Sequence, residues 1–328
     1  MPAVQSPPPL PSPTPSPSPS PTPVPPNTVK FGTTSSLGGW VLDVADKQGF
    51  LASQRIVLDR KETDPGSTAA AEDVEKRDRE VGVVSTDRLV QVGKNGQSLV
   101  MVAGLVNKAA YTLIAARDVP DMKALKGKLI GHLDEKGISA AILRRLLKSQ
   151  NFSDNDIKLF VFPDMGVVGA AVANGTVGAS LVDPPRSGRL RVSGFKPLLN
   201  TADIIKDFQA EGLVVRPDWA RQNEDVLTRL IRATVLAERW IGNSANKDAA
   251  IKIMQQSLGL GEIEAKVVYE QYVDALGSIP KEGDIDQAGV RAVIELLGEI
   301  DAAGTPRPDP ARLTDTTYLQ RARSSLPR

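Results

Sequence analysis

The sequence predicts an α/β fold of two lobes, built on mainly parallel sheets flanked by helices. Three observations lead there. From residue 28 onward, short apolar runs alternate with helical patterns, the arrangement that gives parallel sheets. That alternation begins a second time near Pro120. The chain of 328 residues also exceeds one small core and suffices for two.

Taken in order, residues 29–33 read as a strand that runs into the polar turn Thr34-Ser35-Ser36. A helix follows over 37–48 and stops at Gly49. Residues 55–58 form a second strand. The stretch 62–79 is polar with a weak helical pattern, and 81–84 is a short buried strand ending at Ser85-Thr86-Asp87. Strands over 99–106 and 111–116 close the first series. In the second series, 128–131 is a strand, and Gly137-Ile138-Ser139 opens a helix whose Ile142, Leu143, Leu146 and Leu147 share one face. Residues 158–162 are a strand, 166–173 a short helix, and 177–182 a strand halted by Asp183-Pro184-Pro185. Strands at 195–199 and 213–216 complete the set.

From Asp218 onward the pattern is helical. Residues 223–240 form a long amphipathic helix with Val226, Leu230, Ala233 and Ala237 facing inward, followed by helices over 247–258, 263–276 and 287–300. This helical part is expected to pack on the first lobe. The expected division is therefore 28–112 plus 212–328 for lobe 1 and 113–211 for lobe 2. The chain then crosses between lobes twice, near 110–113 and near 209–213.

Composition removes several functions. The formal net charge is +1 and aromatics make up 4%, which argues against nucleic acid as a partner. Absence of cysteine excludes disulfides, thiolate metal sites and a cysteine nucleophile. The single histidine, His132, cannot build a histidine-rich metal site, and beside Gly131 at a strand end it reads as structural. Gly259-Leu260-Gly261 lacks the third glycine of a dinucleotide fingerprint. Residues 151–156 lack the glycine and terminal glutamate of a calcium loop and read as a turn. Arg144 and Arg145 read as a solvated helix face. No cofactor is implied, and no run of about 18 apolar residues exists to cross a membrane.

Residues 1–27 form a segment of their own. About half of residues 1–26 are proline, which favours extended polyproline II of roughly 80 Å at 3.1 Å per residue. It reads as a disordered tail or, preferably, as a tether to a membrane anchor that this sequence does not contain.

Several segments then carry a resemblance. Val29-Lys30-Phe31-Gly32-Thr33 precedes a helix ending Val44-Ala45-Asp46-Lys47-Gln48-Gly49-Phe50. Leu125-Lys126-Gly127-Lys128-Leu129-Ile130-Gly131 follows, then Ala170-Ala171-Val172-Ala173-Asn174-Gly175-Thr176-Val177-Gly178-Ala179, then Arg232-Ala233 with Ala237 and Trp240. In this order they resemble the sulfonate/nitrate/taurine-type solute-binding family, which shares its type II periplasmic-binding fold with thiamine-precursor-binding proteins. Gly178 stands where that family usually has Asp, and the polar stretch 63–79 replaces a more apolar one.

The resemblance implies a monomeric extracytoplasmic receptor that captures a small-molecule ligand by hinge closure. It would deliver that ligand to the permease and ATPase subunits of an ABC importer and would not be an enzyme. The rivals are a biosynthetic enzyme on the same fold and a ligand sensor without transport.

Ligands of open α/β sheets sit beyond the carboxyl ends of the strands, where helix N-termini also point. Four loops therefore form the expected pocket: Thr34, Ser35 and Ser36 with Trp40; Ser85, Thr86 and Asp87; Gly137, Ile138 and Ser139; Asp183 and Pro184. Each has a plainer reading. Ser, Thr and Asp ahead of a helix also serve as caps, and Trp40 also reads as core. Helix N-termini would favour a carboxylate or sulfonate, whereas Asp87 and Asp183 would favour a cation or hydroxyl donor, so the ligand's charge stays open at this level.

Overall fold

The computed structural model describes residues 25–62, 66–93, 99–133, 135–162 and 165–327. Residues 1–24 of the expected tether and 63–65 of the polar stretch lie outside the described residues. The chain runs β1 (Asn27–Thr33), α1 (Leu37–Lys47), α2 (Phe50–Ser53), β2 (Ile56–Glu62), α3 (Gly66–Glu75), β3 (Val81–Ser85), α4 (Thr86–Gly93) and β4 (Val100–Val106). It continues through β5 (Thr112–Ala115), β6 (Leu129–His132), α5 (Ile138–Ser149), β7 (Lys158–Val161), α6 (Met165–Ala173), β8 (Ala179–Val182), α7 (Pro184–Val192), β9 (Pro197–Asn200) and α8 (Thr201–Ile204). It closes with β10 (Glu211–Val215), α9 (Pro217–Gln222), α10 (Glu224–Ile241), α11 (Lys247–Leu258), α12 (Glu262–Val268), a π-helical turn (Tyr269–Ala275), α13 (Gln287–Gly298) and α14 (Thr317–Ser324).

The strands form two five-stranded sheets, ordered β2-β1-β3-β10-β4 and β7-β6-β8-β5-β9. In each sheet four strands point one way and one is reversed. The reversed strand is β10 in the first sheet and β5 in the second, each antiparallel to both neighbours. These are the strands reached through the two crossings, so each passage between sheets delivers its strand against the prevailing direction. The mainly parallel, two-sheet α/β architecture matches the expectation.

Helix α1 is buried nearly all round, with Leu37, Trp40, Val41, Leu42, Val44 and Ala45 each under 4% exposed. That pattern belongs to a helix sandwiched between layers, not to one with a wet face. It packs on β4 from one side and on α10 and α11 from the other. Gly39 permits the tight turn into α1, because a Cβ there would lie 2.1 Å from the Thr34 carbonyl oxygen.

The helical C-terminal part covers the first sheet and also reaches the second. Gly188 of α7 lets α12 approach so closely that a Cβ would sit 2.6 Å from Val268 Cγ2. Ile138, Ala141, Ile142 and Leu146 of α5 share one apolar cluster with Val290, Val293, Ile294 and Leu297 of α13.

Several local expectations shift. Asn27, assigned to the tether, starts β1 and pairs with Ile56. Thr112 and Glu211, set at lobe ends, belong to β5 and β10. Helix α4 was not expected; its stretch is short and polar, and Leu89 and Val90 are its buried apolar residues. In α10 Leu227 is buried while Val226 is only partly so. Arg145 is not simply solvated: it forms an ion pair with Glu299.

Candidate functional site

The expected pocket loops gather around a residue that was not among them. Glu211 opens β10 and pairs in register with Ser85, the last residue of β3. Its Oε2 accepts the Ser36 hydroxyl at 2.9 Å and the Gly38 backbone N–H at 2.8 Å. Ser36 caps α1, accepting from the Gly39 N–H at 3.2 Å and from the Thr34 hydroxyl at 3.0 Å. A helix N-terminus leaves up to four N–H groups and a partial positive charge to be satisfied. At α1 those donors are met by Ser36 and by the Glu211 carboxylate. Burial pushes the Glu211 carboxyl above its ordinary range, and the charges of Asp183 and Asp87 push the same way against the hydrogen bonds from Ser36 and Gly38.

Asp87 is 5% exposed in the first turn of α4, with the Arg88 guanidinium 3.6 Å away. Asp183 caps α7, accepting the Arg186 N–H at 3.1 Å and pairing with its guanidinium. Together with Glu211, these carboxylates act on Tyr111 at the first crossing. Burial raises the phenol of Tyr111 far above its usual value, and Asp87, Glu211 and Asp183 add to the shift. Asp87, Asp183, Glu211 and Tyr111 thus form one electrostatic neighbourhood drawn from both sheets.

The remaining loop joins from the second sheet. The Gln91 side-chain amide of α4 reaches the Lys136 carbonyl at 3.5 Å, just ahead of α5. Gly137 opens α5 in extended conformation with no side-chain cap bond. Among the described residues, two hydroxyls in this region are deeply buried without a hydrogen-bond partner: Thr86 Oγ1, in a residue 1% exposed, and Ser139 Oγ, in a residue 6% exposed.

The twelve expected residues therefore divide. Thr34, Ser36, Ser85, Thr86, Asp87 and Asp183 surround Glu211 and Tyr111, with Gly137 and Ser139 at the neighbouring helix start. Ser36 and Asp183 are caps as well, so the plainer reading also holds for them. Ser35 is exposed. Pro184 is buried as the first residue of α7, and Ile138 packs with Leu89 and Val90 in an apolar cluster. Trp40 is corrected: fully buried, it packs edge-on against Tyr269 with centroids 6.0 Å apart, inside the core behind α1. A surface recess lined by Pro120, Lys123, Phe152 and Leu198 lies at the end of the second sheet where its parallel strands begin, away from this neighbourhood.

Beneath the site, the crossings are tied together. The Thr201 hydroxyl accepts the Tyr111 N–H at 3.1 Å and donates to the Ala109 carbonyl. Gln209 donates to the carbonyls of Val106 and Glu211 and accepts the Asp286 N–H at 2.8 Å. The π-helical turn contributes Tyr272, whose hydroxyl meets that of Thr112 at 2.7 Å, and Gln271, which donates to Thr112 and Asn200. π-Helical turns recur at functional sites, and this one braces the crossing.

Comparison with known proteins bears on the fold. The family model described as NMT1/THI5 like matches residues 41–243. Among curated proteins none matches. The alkanesulfonate-binding protein SsuA from Xanthomonas axonopodis pv. citri, bound to MOPS, superposes with a TM-score of 0.70 at 17% identity, over 89% of this chain and 99% of that one. The periplasmic nitrate-binding protein NrtA from Synechocystis PCC 6803 gives 0.72 at 14% identity, over 91% and 89%. The desulfurization enzyme DszB gives 0.70 at 16% identity, over 91% and 99%. These likenesses establish the two-lobed periplasmic-binding fold.

Proposed function

The chain belongs to the NMT1/THI5-like family, and from that premise we propose that it is an extracytoplasmic solute receptor serving an ABC importer. It captures a small organic solute between its lobes and presents it to permease and ATPase subunits. The lobes follow the sheets, near 27–111 with 211–328 and near 112–210, and the proline-rich segment ahead of β1 tethers them to a membrane. The single observation that carries this reading is the meeting of polar strand ends at the two crossings: Glu211 bonds Ser36 and lies opposite Ser85 in the first sheet, and Tyr111 leads into β5, whose Thr112 lies opposite Val182, just ahead of Asp183, in the second. Contacts made by both lobes at once exist only in the closed state, so a ligand that makes them shifts the hinge equilibrium towards closure.

Fold alone does not separate a receptor from a catalyst, since DszB shares it. Residue chemistry favours the receptor. DszB was solved with biphenyl-2-sulfinic acid as a cysteine-to-serine mutant, and this sequence has no cysteine. His132 is 2% exposed at the end of β6.

A thermal-shift screen against sulfonates, carboxylates, nitrate, pyrimidines and amines tests the reading, with X-ray scattering on each hit. A ligand at a hundred times its Kd stabilises by about 2.7 kcal/mol and should reduce the radius of gyration. Turnover of a hit without compaction would replace the receptor by an enzyme.

A further inference from the structure

The charge of the ligand, left open by the sequence, can be read from what already occupies the helix N-termini at the site. This inference rests on the receptor reading and concerns the same cleft. An anion would need the donors at the start of α1, yet Gly38 N–H is held by Glu211 and Gly39 N–H by Ser36. The first turn of α4 carries Asp87, and α7 begins at Asp183, which accepts the Arg186 N–H. Three of the four helix starts thus carry carboxylates of this chain's own, while the fourth, α5, opens at Gly137 without a side-chain cap.

The cations do not restore the balance. The guanidinium of Arg88 lies 3.6 Å from Asp87, and that of Arg186 pairs with Asp183 at 2.5 Å. Glu211 has the Ser36 hydroxyl and the Gly38 N–H, which are neutral donors. Asp87 and Asp183 are thus paired with cations, whereas both hydrogen bonds to the Glu211 carboxyl come from neutral groups.

A second observation points to a ligand independently. Thr86, adjacent to Asp87 and bonded through its N–H to the Ala210 carbonyl beside Glu211, has a hydroxyl buried without a partner among the described residues. Ser139 in the first turn of α5 is alike. A buried, unmet hydroxyl costs about 1–3 kcal/mol, and the two at Thr86, beside Asp87, and Ser139, in the first turn of α5, are free to accept an N–H from a ligand or to donate to it.

We infer that the cleft selects an organic cation, with a protonated amine or amidinium held among Asp87, Asp183 and Glu211 and further N–H donors met by Thr86 and Ser139, in place of the sulfonate or nitrate named for its structural neighbours.

The test uses the full chain and isothermal titration at fixed ionic strength. One arm holds methylammonium, benzylamine, choline and agmatine as chlorides; the other holds sodium ethanesulfonate, benzoate and nitrate. The expected result is binding in the ammonium arm alone, weakened at least tenfold by Asp87→Asn and by Glu211→Gln. Glu211→Ala should vacate the start of α1 and admit ethanesulfonate, while circular dichroism checks that each variant folds. Binding in the anion arm alone overturns the inference and leaves the receptor reading standing. Silence in both arms overturns the inference too, and the receptor reading is then decided by the neutral compounds of the wider screen. Unaltered ammonium affinity in both Asp87→Asn and Glu211→Gln also overturns it.

Discussion

Glu211 Oε2 accepts the backbone N–H of Gly38 across 173 residues of sequence at 2.8 Å, so a strand reached after the second crossing closes the first helix of the chain. The contact requires glycine at 38, where a Cβ would lie 2.5 Å from that oxygen and 3.0 Å from Val83 Cγ1. In Gly38→Ala the carboxylate can swing aside, because it is the far end of a side chain. The expected cost is about 1–3 kcal/mol in urea denaturation, with at least a tenfold loss of ligand affinity. Gly39→Ala should be worse, since the Cβ there meets the Thr34 carbonyl, which is backbone and cannot swing. Equal stability of wild type and Gly38→Ala would show that Glu211 is not held as described.

Trp40 supplies the second prediction, because its two readings differ in outcome. As a core residue packed on Tyr269, it should cost about 3–5 kcal/mol when cut to alanine. Trp40→Phe should fold and bind with near wild-type Kd, since the indole Nε1 has no hydrogen-bond partner to lose. A tenfold affinity loss in folded Trp40→Phe would return the side chain to the ligand.

Much of the fold was legible because its signals are local. Alternation of strand and helix marked both sheets, and Gly49 marked the end of the first helix, whereas the burial of that helix nearly all round follows from its packing on β4, α10 and α11. Helix α4 was not legible, because its eight residues are polar on average and span little more than two turns, too short a stretch for a period to be read. The site was half legible: strand-end loops follow from topology, and Asp87 and Asp183 lie on them. Glu211 was missed although it is the charged residue opening the run Gly212-Leu213-Val214-Val215. A charge at a strand start is commonplace, and nothing nearby in sequence says that it meets Ser36. That knowledge resides in the antiparallel register of β10 against β3, which is a tertiary fact.

Glu238 gives a pH prediction. It lies 1% exposed in α10, accepts the Gly283 N–H through Oε2, and leaves Oε1 without a partner. Burial raises its carboxyl well above the ordinary range, against the pull of that hydrogen bond and of Arg323, while Asp284 and Glu282 add to the rise. A carboxyl raised on folding contributes stability that is complete below its unfolded value of about 4.3 and is lost as pH climbs through the folded value. Glu211, raised in the same direction, acts likewise. Thermal stability should therefore increase from pH 8 towards pH 5, and Glu238→Gln should flatten that slope by removing one contributor. An unchanged slope in Glu238→Gln would mean that its carboxyl titrates normally.

The hinge yields the last prediction. Gln209 is fully buried between the crossings, where its amide nitrogen bonds the carbonyls of Val106 and Glu211 and its oxygen takes the Asp286 N–H that precedes α13. Helix α13 approaches so closely that a Cβ on Gly289 would sit 2.4 Å from Gln209 N. One side chain therefore fixes the spacing of both connecting strands and anchors the helix that also packs on α5 of the second sheet. Gln209→Leu keeps the volume but strands these polar groups, and should cost about 1–3 kcal/mol in urea denaturation. Because Glu211 begins the strand that Gln209 holds, ligand affinity should fall with stability although Gln209 need not touch the ligand. If Gln209→Leu loses stability while Kd and ligand-induced compaction stay as in wild type, the hinge does not set the geometry of the site.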